Sequence, residues 1–188
     1  MVKIVGVVGS PRKGGNTEYA GTKALEAAAQ EGAETELISL AGKEIKPCDA
    51  CLTCRTTMEC KIQDDFEPIF EKMAEADGLI LASPVYFSSA TPQIKALIDR
   101  AGYVSIARKR VFENKVGGPI VVARRAGHNF TFAQLLFFFL HQGMIVPGST
   151  YWNVAFGREP GEVAKDEEGV RTVANFGRKL AWLAKIFA

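Results

Sequence analysis

A chain of 188 residues, 47% hydrophobic and 23% charged, has the length of one globular domain and enough apolar matter for a core, which excludes disordered and fibrous architectures. Its 23 basic and 21 acidic residues are interspersed and leave a net charge of +2, so no basic stripe tracks a phosphodiester backbone and nucleic acid is not an expected partner. The most apolar stretch, Phe130 to Val146, is broken by Gln134, His141, Gln142 and Gly143 and falls short of the roughly 18 clean apolar residues of a membrane span, while no cleavage pattern follows the opening apolar run, so a cytoplasmic setting is expected.

Short apolar runs alternate with stretches of helical spacing, the pattern of βαβ units around a parallel sheet. Val2 to Val8 reads as a buried first strand. Asn16 to Gly32 follows as a helix with Ala20, Ala24, Leu25 and Ala28 on one face, and Thr35 to Leu40 as a second strand. Ala41 to Asp64 is a polar insertion that carries every cysteine and exceeds the usual connection of about four to six residues. A helix is expected from Asp65 to Ala76, with Asp64 as N-cap and Phe66, Ile69, Phe70 and Met73 apolar at helical spacing. Gly78 to Ala82 reads as the central strand, Thr91 to Tyr103 as a helix and Gly118 to Ala123 as the fourth strand. A fifth unit is expected as a helix from Phe130 to Gln142 and a strand from Met144 to Tyr151. A charged, Gly-containing loop then leads to a last amphipathic helix, Val170 to Ile186. Five strands alternating with helices predict a flavodoxin-like, doubly wound α/β fold as a single domain over residues 1–188.

The segment Gly9 to Thr17, GSPRKGGNT, stands directly between the first strand and the first helix. N–H groups at a helix N-terminus are unpaired and the helix dipole favours an anion there. Gly14 and Gly15 permit close backbone approach, Ser10, Asn16 and Thr17 bring polar donors, and Arg12 brings a forked cation, together a cradle for a monophosphate. The segment matches neither G-x-G-x-x-G nor G-x-x-x-x-G-K-[ST], which argues against a dinucleotide or a magnesium triphosphate. In such sheets ligands lie beyond the carboxyl ends of the strands, so two further loops are candidates. Ser83 to Gln93 carries Pro84, Val85, Tyr86 and Phe87, with aromatic surface for a flat ring, and Ala123 to Asn129 carries Arg124, Arg125, Ala126 and Gly127.

Cys48, Cys51, Cys54 and Cys60 are spaced C-x2-C-x2-C-x5-C within 13 residues. The first three spacings are those of ferredoxin runs that ligate a cubane, which makes a 4Fe-4S cluster the leading expectation. A zinc ion or free, redox-active thiols stay open alternatives. His141, in its apolar helix, is expected to be a packed or interface residue, and His128 sits in the third candidate loop. Phe130 to Leu140 is apolar nearly all round, which implies cover on more than one side, from the monomer or from a second subunit.

GSPRKGGNT, the cysteine spacing, the pair Asp64 and Asp65, ADGLILASPVYF, KALIDR and RRAG together resemble the iron-sulfur flavoproteins of the NAD(P)H-dependent FMN reductase superfamily, over nearly the whole chain. The resemblance implies FMN held by Ser10, Arg12, Gly15, Asn16 and Thr17, with its ring and ribityl chain against Pro84, Val85, Tyr86, Phe87, Arg125, Ala126 and Gly127. It implies a 4Fe-4S cluster on Cys48, Cys51, Cys54 and Cys60, a homodimer or homotetramer, and ferredoxin or NAD(P)H as electron donor to a small acceptor. No protein acid or base is demanded, since the cofactors carry the electron chemistry. Two other functions stay open at this level: an NAD(P)H-dependent FMN or quinone reductase without a cluster, and a non-catalytic binding module with a zinc-stabilised cysteine loop.

Overall fold

The computed structural model describes all 188 residues. Its strands are β1 (Lys3–Val8), β2 (Glu34–Ser39), β3 (Gly78–Pro84), β4 (Val116–Ala123) and β5 (Val154–Phe156). Its helices are α1 (Asn16–Gln30), α2 (Cys54–Thr57), α3 (Phe66–Glu75), α4 (Pro92–Ala107), α5 (His128–His141) and α6 (Glu167–Phe187), with a 3-10 turn at Glu162–Lys165. The strands form one sheet in the order β2-β1-β3-β4-β5, every pairing parallel. This is the expected flavodoxin-like arrangement, with the switch in strand order between β1 and β3.

Why the central strands read as unbroken apolar runs is visible in the packing. A parallel sheet is covered on both faces, and side chains alternate between them. Val5, Val7, Leu79, Leu81 and Val121 point into a core shared with Phe66, Phe70, Ile94, Leu97 and Phe139 of α3, α4 and α5. Ile4, Val8, Ile80, Ala82 and Val122 point the other way, against Ala20, Ala24, Val173, Phe176 and Leu180 of α1 and α6. The second layer is unusually close: a methyl on Gly177 of α6 would lie 1.9 Å from the Ala24 carbonyl oxygen of α1, so only glycine lets the two helix backbones meet.

The fifth strand departs from expectation. Met144 to Tyr151 is not a strand; Ile145 makes a single bridge to Val116, and the chain rejoins β4 only at Val154, which pairs with Val121. Pro147, two residues after the bridge, has no N–H to continue a ladder. The gap explains how Pro119 survives inside a fully buried strand. Gly117 N–H and Val121 N–H both bond toward this side, to Ile145 and Asn153 carbonyls, and Pro119 lies between them where no backbone partner is present. Its missing N–H therefore breaks no bond, and its carbonyl accepts from Asn153 Nδ2 at 3.2 Å.

Smaller shifts have local causes. β4 begins at Val116, α4 continues to Ala107, and α6 starts earlier than expected because Asp166 accepts the Gly169 N–H at 3.0 Å as its cap. Asp65, not Asp64, occupies the position before α3, while Asp64 accepts the Phe66 N–H and is otherwise directed into the cysteine insertion. α5 is apolar all round as expected, yet it buries only Thr131, Leu135, Phe138 and Phe139 and leaves Phe130, Phe137 and Leu140 exposed. No helix is long and apolar enough to cross a membrane.

Candidate functional site

The loops that follow β1, β3, β4 and β5 meet at the carboxyl edge of the sheet around a cavity of about 410 Å³. Ser10, Arg12, Gly15, Asn16 and Thr17 form one wall, Pro84, Val85 and Tyr86 a second, and Arg124 with Gly157 to Pro160 the remainder. Gly15 precedes α1 in extended conformation and no side chain caps the helix, so its first-turn N–H groups are free to bind a ligand. Ser10 Oγ accepts the Arg12 N–H at 3.1 Å and folds the loop back over that helix end. Thr17 is buried and Arg12 exposed, one donor at the floor and one at the rim.

Asn16 contributes differently from its expected role as a phosphate donor. Its Nδ2 donates to the Glu159 carbonyl at 2.9 Å and its Oδ1 accepts from Gly161 N–H at 2.9 Å, so the side chain fastens the loop after β5 across the cavity. That loop, with Arg158 and Glu159, is a part of the site the sequence pattern does not announce. Its one mark in the sequence is its place after the last strand, which shows only once β5 is located at Val154–Phe156.

The loop after β3 is a tight turn in which Tyr86 and Ser89 exchange backbone bonds of 2.8 and 3.0 Å. Phe87 (φ 47°) and Ser88 (φ 61°) stand in left-handed conformation at its tip, a sparsely populated state for bulky residues. Phe87 is consequently fully exposed, outside the cavity lining proper. Of the paired arginines, Arg124 lines the cavity and Arg125 does not; nor do Ala126 and Gly127. Gly127 (φ 85°) instead packs on the neighbouring loop, where a Cβ would lie 2.8 Å from Ser88 Oγ and 2.9 Å from Val85 Cγ1. Gly127→Ala is expected to cost about 1–2 kcal/mol from the left-handed backbone alone. A fall in the urea midpoint together with weaker flavin retention would show that this contact sets the loop.

The cysteine insertion closes over α3 and α4. Cys48, Cys51, Cys54 and Cys60 line one small cavity together with Ile62, Arg100, Tyr103 and Val104. No three His, Cys, Asp or Glu side chains are gathered closely enough to hold a single ion; the four sulfurs are spread around the cavity wall. Ala50, Leu52 and Met58 adopt left-handed backbone between the cysteines, and for non-glycine residues this costs on the order of 1 kcal/mol or more each. Burial pushes the Cys54 thiol above its ordinary range, and the neighbouring Cys51, Cys60 and Cys48 push it further, so the sulfurs sense one another.

The insertion is tied down by its two ends. Asp65 accepts the Glu44 N–H at 2.8 Å and pairs with Lys43 at 3.0 Å, and Asp64 accepts the Lys46 N–H at 2.8 Å. Arg100, inside the otherwise apolar face of α4, is 1% exposed and reaches Asp64 at 2.5 Å, the carbonyls of Lys46 and Ile62 at 3.1 and 3.0 Å, and Cys60 Sγ at 3.3 Å. Its plane lies 4.1 Å from the Phe66 ring centre. Burial opposes its charge, but the bonds to Asp64 and Cys60 outweigh burial and hold the guanidinium protonated. Sequence patterning does not mark this residue; its one trace is an arginine on a helix face otherwise formed by Ile94, Leu97, Ala101 and Val104.

α4 links the two regions. Thr91 at its start donates to the Gly9 carbonyl at 2.6 Å beside the phosphate loop, and Arg100 follows nine residues later, about 14 Å along the helix.

Residues 2–159 match the model of the NADPH-dependent FMN reductases. The chain is 42% identical to an iron-sulfur flavoprotein of Methanocaldococcus jannaschii, over 98% of both chains, and 39% identical to one of Methanosarcina thermophila, over 95% of this chain and 93% of that one. Among solved structures it resembles a flavodoxin-type, WrbA-like protein of Agrobacterium tumefaciens with a TM-score of 0.73 at 16% identity, over the whole of both chains, a likeness of fold. The chain thus belongs to the NADPH-dependent FMN reductase family and, within it, to the iron-sulfur flavoproteins, and is a flavin-dependent oxidoreductase.

Proposed function

We propose that this protein, a single flavodoxin-like domain, binds FMN at the carboxyl edge and a 4Fe-4S cluster on Cys48, Cys51, Cys54 and Cys60, and passes electrons between ferredoxin or NAD(P)H and a small acceptor. The observation that carries the reading is the pairing of an uncapped, Arg-flanked helix end with four cysteines around one cavity, the two regions joined by α4. Four cysteine sulfurs around one cavity suit an iron-sulfur body, since the one carboxylate in the lining, Asp49, is engaged by Lys61 and by the Cys51 N–H. FMN exchanges one or two electrons and the cluster one, which is the chemistry the two groups supply when bound.

The protein's own residues do the rest. The α1 N-terminus, Ser10 and Thr17 offer N–H and O–H donors to the FMN phosphate, Arg12 places a cation at its rim, and Gly15 and Asn16 add backbone N–H groups. Pro84, Val85 and Tyr86 give the flat ring an apolar and aromatic bed, Phe87 stands exposed at the tip of the same turn, and Arg124 faces the bed from the opposite loop. Gly127 packs that loop against the turn at Ser88, with Arg125 and Ala126 exposed beside it. No side chain is asked to move a proton. Asn16, through the Glu159 carbonyl and the Gly161 N–H, fastens the loop after β5 beside the phosphate end.

The exposed Phe137, Leu140, Tyr103 and Ile106 beside the groove between α4 and α5 support a homodimer or homotetramer. The decisive measurement is the absorption spectrum of anaerobically purified protein with iron and acid-labile sulfide assayed on the same sample. Flavin bands with about four irons per chain are expected. Flavin without iron would leave an NAD(P)H-dependent reductase whose thiols serve otherwise, and iron without flavin would overturn the phosphate site.

A further inference from the structure

We propose that Arg100 is a positioning residue of the cysteine site, which holds Cys60 in place and tunes the electron affinity of whatever the four sulfurs ligate. The inference rests on the cluster reading above. Its ground is the set of partners that one buried guanidinium gathers. Nε donates to Cys60 Sγ at 3.3 Å, Nη1 to the Lys46 carbonyl and Asp64, and Nη2 to the Ile62 carbonyl. These partners come from both ends of the insertion, residues 46 and 60–64, so a single side chain sets the mouth through which the cysteine-bearing turn leaves and re-enters the fold. Phe66 stacked beneath the fork and the two carbonyls leave it little freedom to rotate.

Two physical consequences follow for Cys60. The sulfur is fixed in a direction before any metal arrives, so less ordering remains to be done on assembly. An N–H bond and a positive charge beside a ligating sulfur stabilise the state with one more electron, and therefore raise the reduction potential; hydrogen bonds to the sulfurs are an established lever on this quantity. The cation beside Cys51 is of a different kind: Lys61 also interacts with that sulfur, but it pairs with Asp49 at 3.1 Å and is about half exposed, so solvent screens it where Arg100 is buried.

Arg108 supplies an internal control. It sits two turns further along α4, donates to the Met58 carbonyl at 2.6 Å and pairs with Glu67 and Glu71. It thus clamps the same insertion without touching a sulfur.

The test compares Arg100→Met, Arg100→Lys and Arg108→Met with wild type, purified anaerobically as holoprotein. Iron, sulfide and flavin are assayed per chain, and the cluster potential is taken by redox titration followed by electron paramagnetic resonance. Arg100→Met is expected to lower iron per chain at least about three-fold with flavin unchanged, and its remaining cluster to titrate at a more negative potential. Arg100→Lys, which keeps the charge but not the fork, is expected to fall between, and Arg108→Met to keep the wild-type potential. If Arg100→Met is too depleted to titrate, the potential of Arg100→Lys decides against that of Arg108→Met. Wild-type iron and potential in Arg100→Met, or an equal shift in Arg108→Met, would overturn the assignment and leave the cluster reading standing. A wild-type protein that contains flavin but no iron would overturn both.

Discussion

Asp64→Ala lowers stability by about 3–5 kcal/mol, the loss expected when one partner of a buried ion pair is removed and the other charge stays buried. Both side chains are essentially inaccessible, at 1% for Arg100 and 0% for Asp64, so no water replaces the lost carboxylate. Two backbone N–H groups, from Lys46 and Phe66, lose their acceptor in the same change. Asp65→Ala is the comparison: its bonds to Lys43 and Glu44 are exposed, and a loss under about 1 kcal/mol is expected. Urea unfolding followed by circular dichroism checks both. A loss below about 1 kcal/mol for Asp64→Ala would mean that the guanidinium finds solvent or another acceptor when the carboxylate is gone.

The pH dependence of this difference has a definite sign. Burial opposes ionisation of Asp64, but the bonds from Arg100, Lys46 and Phe66 outweigh it and hold the carboxyl below its ordinary range. A carboxyl depressed in the folded state adds stability above its unfolded value of about 3.9 and loses it as pH falls through the lower folded one. The gap between wild type and Asp64→Ala is therefore flat between neutral pH and about 5 and closes only below about pH 4.

Which features were legible in the sequence follows from how local their cause is. The buried strands β1, β3 and β4 declare themselves because a sheet covered on both faces demands continuous apolar runs. The loop from Gly9 to Thr17 stands out because its glycines and polar residues are adjacent in sequence and open a helix, and the cysteine insertion because four cysteines fall within one short stretch. β5 is not, because Met144-Ile145-Val146 has the apolar character of a strand and only the tertiary consequence of Pro147, a chain that leaves β4 and returns at Val154, shows otherwise. That displacement also concealed the loop carrying Arg158 and Glu159, since a loop after a strand is recognised only once the strand is placed. Arg100 is the deepest omission. An arginine in a helix reads as solvated, and its partners lie 36 to 54 residues away.

Removing one exposed and one buried side chain of the segment Gly9 to Thr17, Arg12→Ala with Thr17→Ala, is expected to weaken FMN binding by about 30- to 1,000-fold, measured by flavin fluorescence. Hydrogen bonds to a charged group contribute about 1.5–3 kcal/mol each. Arg12 is exposed and its share is discounted for solvent screening, which leaves about 2–4 kcal/mol for the pair. Thr17, buried at the first turn of α1, is expected to be the larger contributor. The chemical specificity of the loss separates a phosphate contact from a distorted fold. Wild type is expected to prefer FMN over riboflavin, which has the same ring and ribityl chain without the phosphate. The double variant should lose that preference while its riboflavin affinity stays near that of wild type. Equal losses for both flavins would show that the loop positions the ring bed rather than the phosphate, and unchanged affinity for both would remove the phosphate from this helix end altogether.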